Sequence, residues 1–372
     1  MQTQIGKLED LKRKKGIDAF LMTSPAAIKY FSGYFFYFEH GPSPFHLMPA
    51  ALVMAPGDHN SLLIADNEIG QAQGIYSDIS FKPYLSYTYN GALDPAREFL
   101  LQLSAIIKVQ QLENTCIGIE ANTFPAVIEN YLKTTFPRIR LKDIGREIYG
   151  LRAIKTREEI DMIRASAALC DTGQTAVVSL AKPGMTELEL FNLVRTEIET
   201  AAGTRIPLMA DFVGGRATAS GGGLPGNKII QSGELILSDL TPCLNGYWGD
   251  SCSTIAIDEP TVAQKKTFAL VHESLYIGID AIRPGIQALE LDGLMRKHTG
   301  GYPHHTGHGV GVEYHEGPRI VPHNRTKLVP GMVIALEPAI YTEDYGIRLE
   351  HLVVVTEDGC EMLTRFEHQL IK

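Results

Sequence analysis

Four carboxylates interrupt apolar, strand-forming runs in this 372-residue chain. Asp239 sits in Leu235-Ile236-Leu237-Ser238-Asp239-Leu240-Thr241, and Asp250 in Tyr247-Trp248-Gly249-Asp250-Ser251-Cys252. Glu337 ends Met332-Val333-Ile334-Ala335-Leu336-Glu337, and Glu350 lies in Ile347-Arg348-Leu349-Glu350-His351-Leu352. Asn245-Gly246 is a strong type I′ turn signal between the first two, and Asp344-Tyr345-Gly346 closes a second hairpin. Side chains alternate faces along a strand, so with an even-numbered loop two residues an odd number apart share a face. Asp239 and Asp250 are 11 apart and Glu337 and Glu350 are 13 apart, which predicts two pairs of neighbouring acids.

Such pairs are costly, because like charges repel and a desolvated carboxylate needs a partner. A cation must lie among them. Arg348, alternating onto the face of Glu350, offers a buried salt bridge, but one guanidinium does not neutralise four acids. A divalent metal does, and carboxylates with an imidazole suit Mn²⁺, Co²⁺, Fe²⁺ or Zn²⁺. The imidazole is supplied between the hairpins, where His304, His305, His308 and His315 fall within residues 302–318, four of the twelve histidines in the chain. His308 has glycine on both sides, which predicts unusual backbone angles and a close approach to a cofactor. The segment is not an HExxH helix, since Arg319 stands where the second histidine would be and Gly317-Pro318 breaks the helix.

The elements that must position these residues repeat. Lys182-Pro183-Gly184-Met185-Thr186-Glu187-Leu188-Glu189-Leu190 is echoed 101 positions later by Arg283-Pro284-Gly285-Ile286-Gln287-Ala288-Leu289-Glu290-Leu291. Each copy follows a helical segment, about 157–180 and 261–281, and the first opens on a capping box at Thr156 and Glu159. The paired acids recur at offsets of 98 and 100, so residues 150–372 read as a duplicated helix-helix-hairpin unit. Upstream, a charged helix near Leu8–Lys15 and short apolar runs at 19–22 and 51–54 read as a small α/β domain. The predicted organisation is α+β, with domains at 1–145 and 146–372.

Composition narrows the partners. With 34 basic and 43 acidic residues the net charge is −9, leaving no electrostatic footprint for nucleic acid or an anionic membrane. No apolar run reaches the roughly 20 residues of a membrane span, and the N-terminus lacks a signal-peptide core. The five cysteines are scattered without CxxC spacing, which predicts reduced thiols and a cytoplasmic location. Cys252 reads as a small buried packing residue on the face of Asp250.

The sequence resembles the pita-bread metallopeptidases: Xaa-Pro dipeptidases, aminopeptidases P and methionine aminopeptidases, with relatives such as creatinase. Residues 16–21 and 30–33 are similar to the creatinase-type N-terminal domain, and 151–160 to the family's domain junction. The resemblance implies a creatinase-like α/β domain followed by a pita-bread catalytic domain. It implies two divalent ions (Mn, Co, Zn or Fe) held by Asp239, Asp250, His308 in Gly-His-Gly-Val-Gly, Glu337 in Leu-Glu-Pro and Glu350 in Ile-Arg-Leu-Glu, with Asp250 and Glu350 bridging. Glu337 would also accept a proton from the attacking water, and His315 would hydrogen-bond the substrate carbonyl, with His304 and Arg348 nearby. The implied activity is hydrolysis of an amide in a small peptide or small amide, foremost by an Xaa-Pro dipeptidase or aminopeptidase. A homodimer is implied too. The aromatic run Phe31 to Phe38, with Glu39-His40-Gly41-Pro42, reads as core strand plus loop, or as the mouth of the partner's site.

Three positions depart from the family pattern. Gly222 stands where a substrate-contacting histidine is expected, Ser253 where an arginine is, and His351 where an aspartate often follows the last glutamate. Within a peptidase, His304 or His305 would take over the missing role. The alternatives are a non-peptidase relative resembling creatine or ectoine hydrolases, or a lyase, and a catalytically silent binding module. The complete ligand set argues against the last.

Overall fold

The computed structural model describes residues 4–35, 48–56, 60–71 and 79–371. The chain divides into two compact units, Met1–Leu151 and Arg152–Lys372. In the first, the strands are β1 (Ala19–Met22), β2 (Ala51–Met54), β3 (Asn60–Ala65), β4 (Ile79–Tyr84), β5 (Cys116–Ile119) and β6 (Arg140–Asp143). They form one sheet in the order β4-β3-β2-β1-β5-β6, antiparallel through β1, β2 and β3 and parallel outside them. Leu21, Val53 and Ile117 pack with Phe99 and Leu103 of helix α3 (Pro95–Val109) and Ile128 of α4 (Ala126–Thr135). The runs read from sequence at 19–22 and 51–54 are β1 and β2, and the charged helix is α1 (Gln4–Lys15).

The units part at Leu151, six residues past the change of pattern at 145. The reason is packing: Ile144 lies against Gly118 of β5, and α5 (Gly145–Arg152) follows directly. Of the aromatic run, Phe31 and Tyr34 are buried in this unit, and residues 36–47 lie outside the described residues.

The second unit displays the duplication. Helices α6 (Arg157–Leu180) and α7 (Glu187–Ala202) are matched by α8 (Val262–Ala281) and α9 (Ala288–Thr299). The two Pro-Gly turns match at their glycines, with Gly184 at φ +90° and Gly285 at φ +91°, a region that favours glycine. Each turn donates its glycine N–H to a strand-side carbonyl, of Ile230 and of Leu328. Each following helix opens on a capping box, Thr186 with Glu189 and Gln287 with Glu290.

After each helix pair comes sheet. β7 (Leu208–Gly214), β8 (Leu235–Leu244), β9 (Tyr247–Trp248) and β10 (Ser251–Ala256) build the first, with β8 between β7 and β10. Asn245 and Gly246 both take positive φ, 53° and 80°, as the type I′ turn requires. The second contains β11 (Gly307–Gly309), β12 (Glu316–Ile320), β13 (Val333–Leu336), then β14 (Ala339–Tyr341), β15 (Gly346–Arg348), β16 (His351–Val355) and β17 (Cys360–Met362). Its main sheet has the order β12-β11-β13-β16-β17, and β14 and β15 extend the hairpin as a two-stranded ribbon. The hairpins are stitched together where Glu350 N–H donates to Cys252 O at 2.8 Å and Thr254 Oγ1 donates to Arg348 O at 3.0 Å.

The glycines beside His308 serve a different purpose from the one predicted. Neither takes a positive φ. A Cβ at Gly307 would collide with the Ala335 carbonyl oxygen, and one at Gly309 with that of Gly317. They let β11 lie tight between β12 and β13, fixing the strand that carries His308. No helix among the described residues is long and apolar enough to cross a membrane. Gly307→Ala is predicted to cost about 2 kcal/mol by overpacking, read as a Tm lowered by roughly 5 °C in a thermal melt; an unchanged Tm would contradict this role.

Candidate metal centre

Asp239 lies mid-strand in β8, and the register sets it opposite Cys252 of β10 and Asp211 of β7. Asp250 falls where the ladder breaks beside Pro242, which has no N–H to give, and Thr241 Oγ1 donates to its Oδ1 at 2.9 Å. Gly249 just before it allows the backbone of α6 at Ser166 to approach. In the second hairpin, Leu336 pairs with His351 and Ala339 with Arg348, so Glu337 and Glu350 stand opposite each other. The paired acids therefore arise as the odd separations predict.

His308, on β11, projects Nε2 to 3.7 Å from Asp250 Oδ2 and 3.5 Å from Glu337 Oε1. Donor atoms of Asp250, His308 and Glu350 lie within 4.8 Å of one another, as do ring nitrogens of His305, His308 and His315. His305 Nε2 is 2.8 Å from Glu337 Oε1, and His304 Nδ1 is 3.6 Å from Oε2. The His315 ring centroid is 4.3 Å from that of His308. Its neighbour Glu316 is buried between Lys155, at 3.0 Å, and Arg152, at 3.5 Å, which anchors the segment carrying His315. All these site side chains except Glu316 and its anchors line one cavity of about 1100 Å³.

Arg348 forms the buried salt bridge expected of it, with Asp239 as the acid. Its Nη2 donates to Asp239 Oδ2 at 2.6 Å and contacts Asp211 Oδ2 at 3.4 Å, so it serves the first hairpin rather than Glu350. Its N–H at the backbone is held by Thr254 of β10, which directs the long side chain across the stitch between hairpins. Cys252 is buried, and its Sγ accepts from Arg348 Nε at 3.4 Å. Asp211 and Tyr341 were not legible as site residues. Tyr341 Oη lies 3.0 Å from His304 Nε2 and accepts from Arg348 Nη1 at 3.2 Å. Asp211 enters from a third strand, with register to β8 as its only signal.

The departures also separate. Gly222 lines the cavity, whereas Ser253 and His351 are buried away from it. His368 joins them: its Nδ1 is 3.2 Å from Ser253 Oγ, and its ring lies 4.4 Å from that of His351.

Electrostatics identifies what the cluster lacks. Burial, with Asp239 and Glu337 beside it, pushes the Asp250 carboxyl well above the usual range. Burial with Asp250 and Asp239 does the same to Glu350. Burial also raises Asp239, opposed by Arg348. Burial lowers His308 to about 4, keeping the imidazole neutral and free to act as a ligand. Glu337 is desolvated too, but the His305 hydrogen bond and, in the acid range where His308 is itself protonated, the charges of His308, His305 and Arg348 hold it down to about 2. Crowded buried carboxylates beside a neutral imidazole fit a divalent cation.

A model of metallopeptidase family M24 matches residues 161–357, and one of the creatinase/prolidase N-terminal domain matches residues 4–154. The chain belongs to metallopeptidase family M24. The Xaa-Pro dipeptidase of Pyrococcus furiosus is 28% identical over 379 residues, covering all of both chains. A peptidase of Staphylococcus aureus is 30% identical over 372 residues, 98% of this chain and 99% of its own. The crystal structure of an X-Pro aminopeptidase from Thermotoga maritima, 24% identical, superposes with a TM-score of 0.85 over the full length of both, a likeness of fold. The architecture is that of this family: a creatinase-like α/β domain and a pita-bread domain. As an M24 member with its acid and imidazole cluster assembled, the protein is a metal-dependent hydrolase of amide bonds.

A carboxyl whose folded pKa is raised costs stability once pH exceeds its unfolded value near 4, increasingly until the folded value is passed. In chelator, Asp250→Asn is therefore predicted to be more stable than wild type, by about 1–3 kcal/mol at pH 8 and by progressively less toward pH 4. Thermal melts across that range check this. With divalent metal added the order reverses; a variant less stable than wild type in chelator would contradict the assignment.

Proposed function

We propose that this M24 hydrolase cleaves the amide bond before proline in Xaa-Pro peptides, with two divalent ions held by Asp239, Asp250, His308, Glu337 and Glu350. The reading is carried by the convergence of those five side chains, from two hairpins and one histidine strand, on a single cavity. The full-length likeness to an Xaa-Pro dipeptidase supports the proline preference. Mn, Co, Zn and Fe all suit the donor set, and bound ions would lower the pKa of water and polarise a carbonyl.

The protein's own groups do the rest. Asp250 and Glu350, brought together by the stitch between hairpins, would both hold metal. Glu337, held ionised, has a carboxylate oxygen open to take a proton from an attacking water and, being a weak base, to pass it on readily to the leaving nitrogen. His315, at the open side of the histidine cluster, donates a hydrogen bond to the substrate carbonyl as negative charge develops there. His304, fixed through Tyr341, orients substrate, and Arg348 holds Asp239 in place. His305, already against Glu337, is the imidazole that compensates for Gly222. The active form is proposed to be a cytoplasmic homodimer.

A second reading is favoured by one observation, glycine at position 222 of the cavity wall: a small-amide hydrolase resembling the creatine and ectoine enzymes. Metal-loaded protein assayed on Xaa-Pro dipeptides, longer Xaa-Pro peptides and small cyclic or guanidino amides separates the two. Cleavage of no proline peptide, with metal near two per chain, would overturn the first reading. Asp250→Ala is predicted to abolish activity and metal binding together. His315→Ala is predicted to lower kcat about 10²–10³-fold with metal content unchanged, checked by metal analysis beside steady-state kinetics; loss of metal in that variant would make His315 a ligand instead.

A further inference from the structure

The cavity wall at residues 221–223 is built around a carboxylate. A Cβ placed on Gly222 would fall directly on the Asp211 carboxylate, which thus occupies the space where a side chain at 222 would begin. Where the resemblance implies an imidazole, the wall presents an acid from β7. Gly221 at φ +84° and Gly223 at φ +154° turn the backbone around it, conformations that L side chains rarely adopt. Gly223 N–H donates to Asp211 Oδ1 at 2.8 Å and so fixes the orientation of the group.

The other oxygen is left available. Oδ2 has one long contact, 3.4 Å to Arg348 Nη2, and that nitrogen is committed to Asp239 at 2.6 Å. The remaining guanidinium donors go to Gly221 O, Tyr341 Oη and Cys252 Sγ. The Asp211 side chain is 44% exposed although it lines the cavity, so its free edge faces the space a substrate enters. Asp239 stands directly opposite it across the β7–β8 ladder and draws the Arg348 guanidinium to itself, away from Oδ2.

We propose that Asp211 is a specificity-determining residue that selects amide substrates bearing a protonated amine or guanidinium beside residues 221–223 and rejects those bearing a free carboxylate there. This rests on the reading of the cavity as an amide hydrolase site and narrows its substrate class. A carboxylate set against Asp211 meets like charge across a partly desolvated gap, whereas a cation gains a charge-assisted hydrogen bond to Oδ2.

The test uses two series of Ala-Pro-amide analogues on the metal-loaded full chain. One varies charge on the acyl side as Lys-, Ala- and Glu-Pro-amide. The other varies it on the leaving side as the 2-aminoethylamide, the plain amide and the free acid. In at least one series kcat/KM should rank cation over neutral over anion, spanning about tenfold or more. Asp211→Asn keeps an Oδ1 acceptor for Gly223 N–H, and should collapse that ratio at least tenfold with metal content unchanged. The double variant Asp211→Ala/Gly222→His restores an imidazole to the wall without the collision, and should shift preference toward the free acid. It also decides the matter should Asp211→Asn fail to fold. Hydrolysis without charge ranking in either series, or with a ratio unmoved in the variants, overturns the proposal. Hydrolysis of none of the five substrates overturns the underlying reading of the site instead.

Discussion

Charge balance in a closed space governs this structure. Asp239, Asp250, Glu337 and Glu350 converge from two hairpins, and one guanidinium, committed to Asp239, stands among them. Burial drives Asp250 and Glu350 toward the protonated form, so the arrangement is unfavourable until cations enter. The fold accepts this cost at its centre, where metal binding repays it. Two divalent ions would shift the formal net charge of the chain from −9 to −5.

Everything around the cluster serves to hold opposed groups close. The duplicated helix pairs end in matching left-handed glycine turns and deliver equivalent hairpins. The hairpins join through Glu350 N–H to Cys252 O and the Thr254 contacts with Arg348, which brings two acid pairs into one group of four. The tight packing of β11, permitted by Gly307 and Gly309, inserts the imidazole from the side. Glu316, clasped by Lys155 and Arg152, secures the segment that presents His315.

Ser253 and His351 break the family pattern yet lie behind the sheet, where both meet His368. Their change is a repacked interior. Gly222 alone among the three departures reaches the cavity, and there the Asp211 carboxylate takes the vacated volume.

The sequence by itself determined the elements whose rules are local. The capping box at Thr156, the Asn245-Gly246 turn and the Pro-Gly echo depend on residues a few positions apart, and each is present as read. The odd separations of the acids also sufficed to place each pair on one face, because strand alternation is a fixed period. Tertiary structure alone decided what depends on contacts between separate strands. That Arg348 serves Asp239 and not Glu350, that His305 rather than His304 lies closest to Glu337, and that Asp211 fills the place of an absent imidazole all follow from register across a third strand and from the stitch between hairpins. The glycines flanking His308 make the same point. Their type was visible, but their reason, backbone oxygens of Ala335 and Gly317 pressed against them, exists only once neighbouring strands are in place.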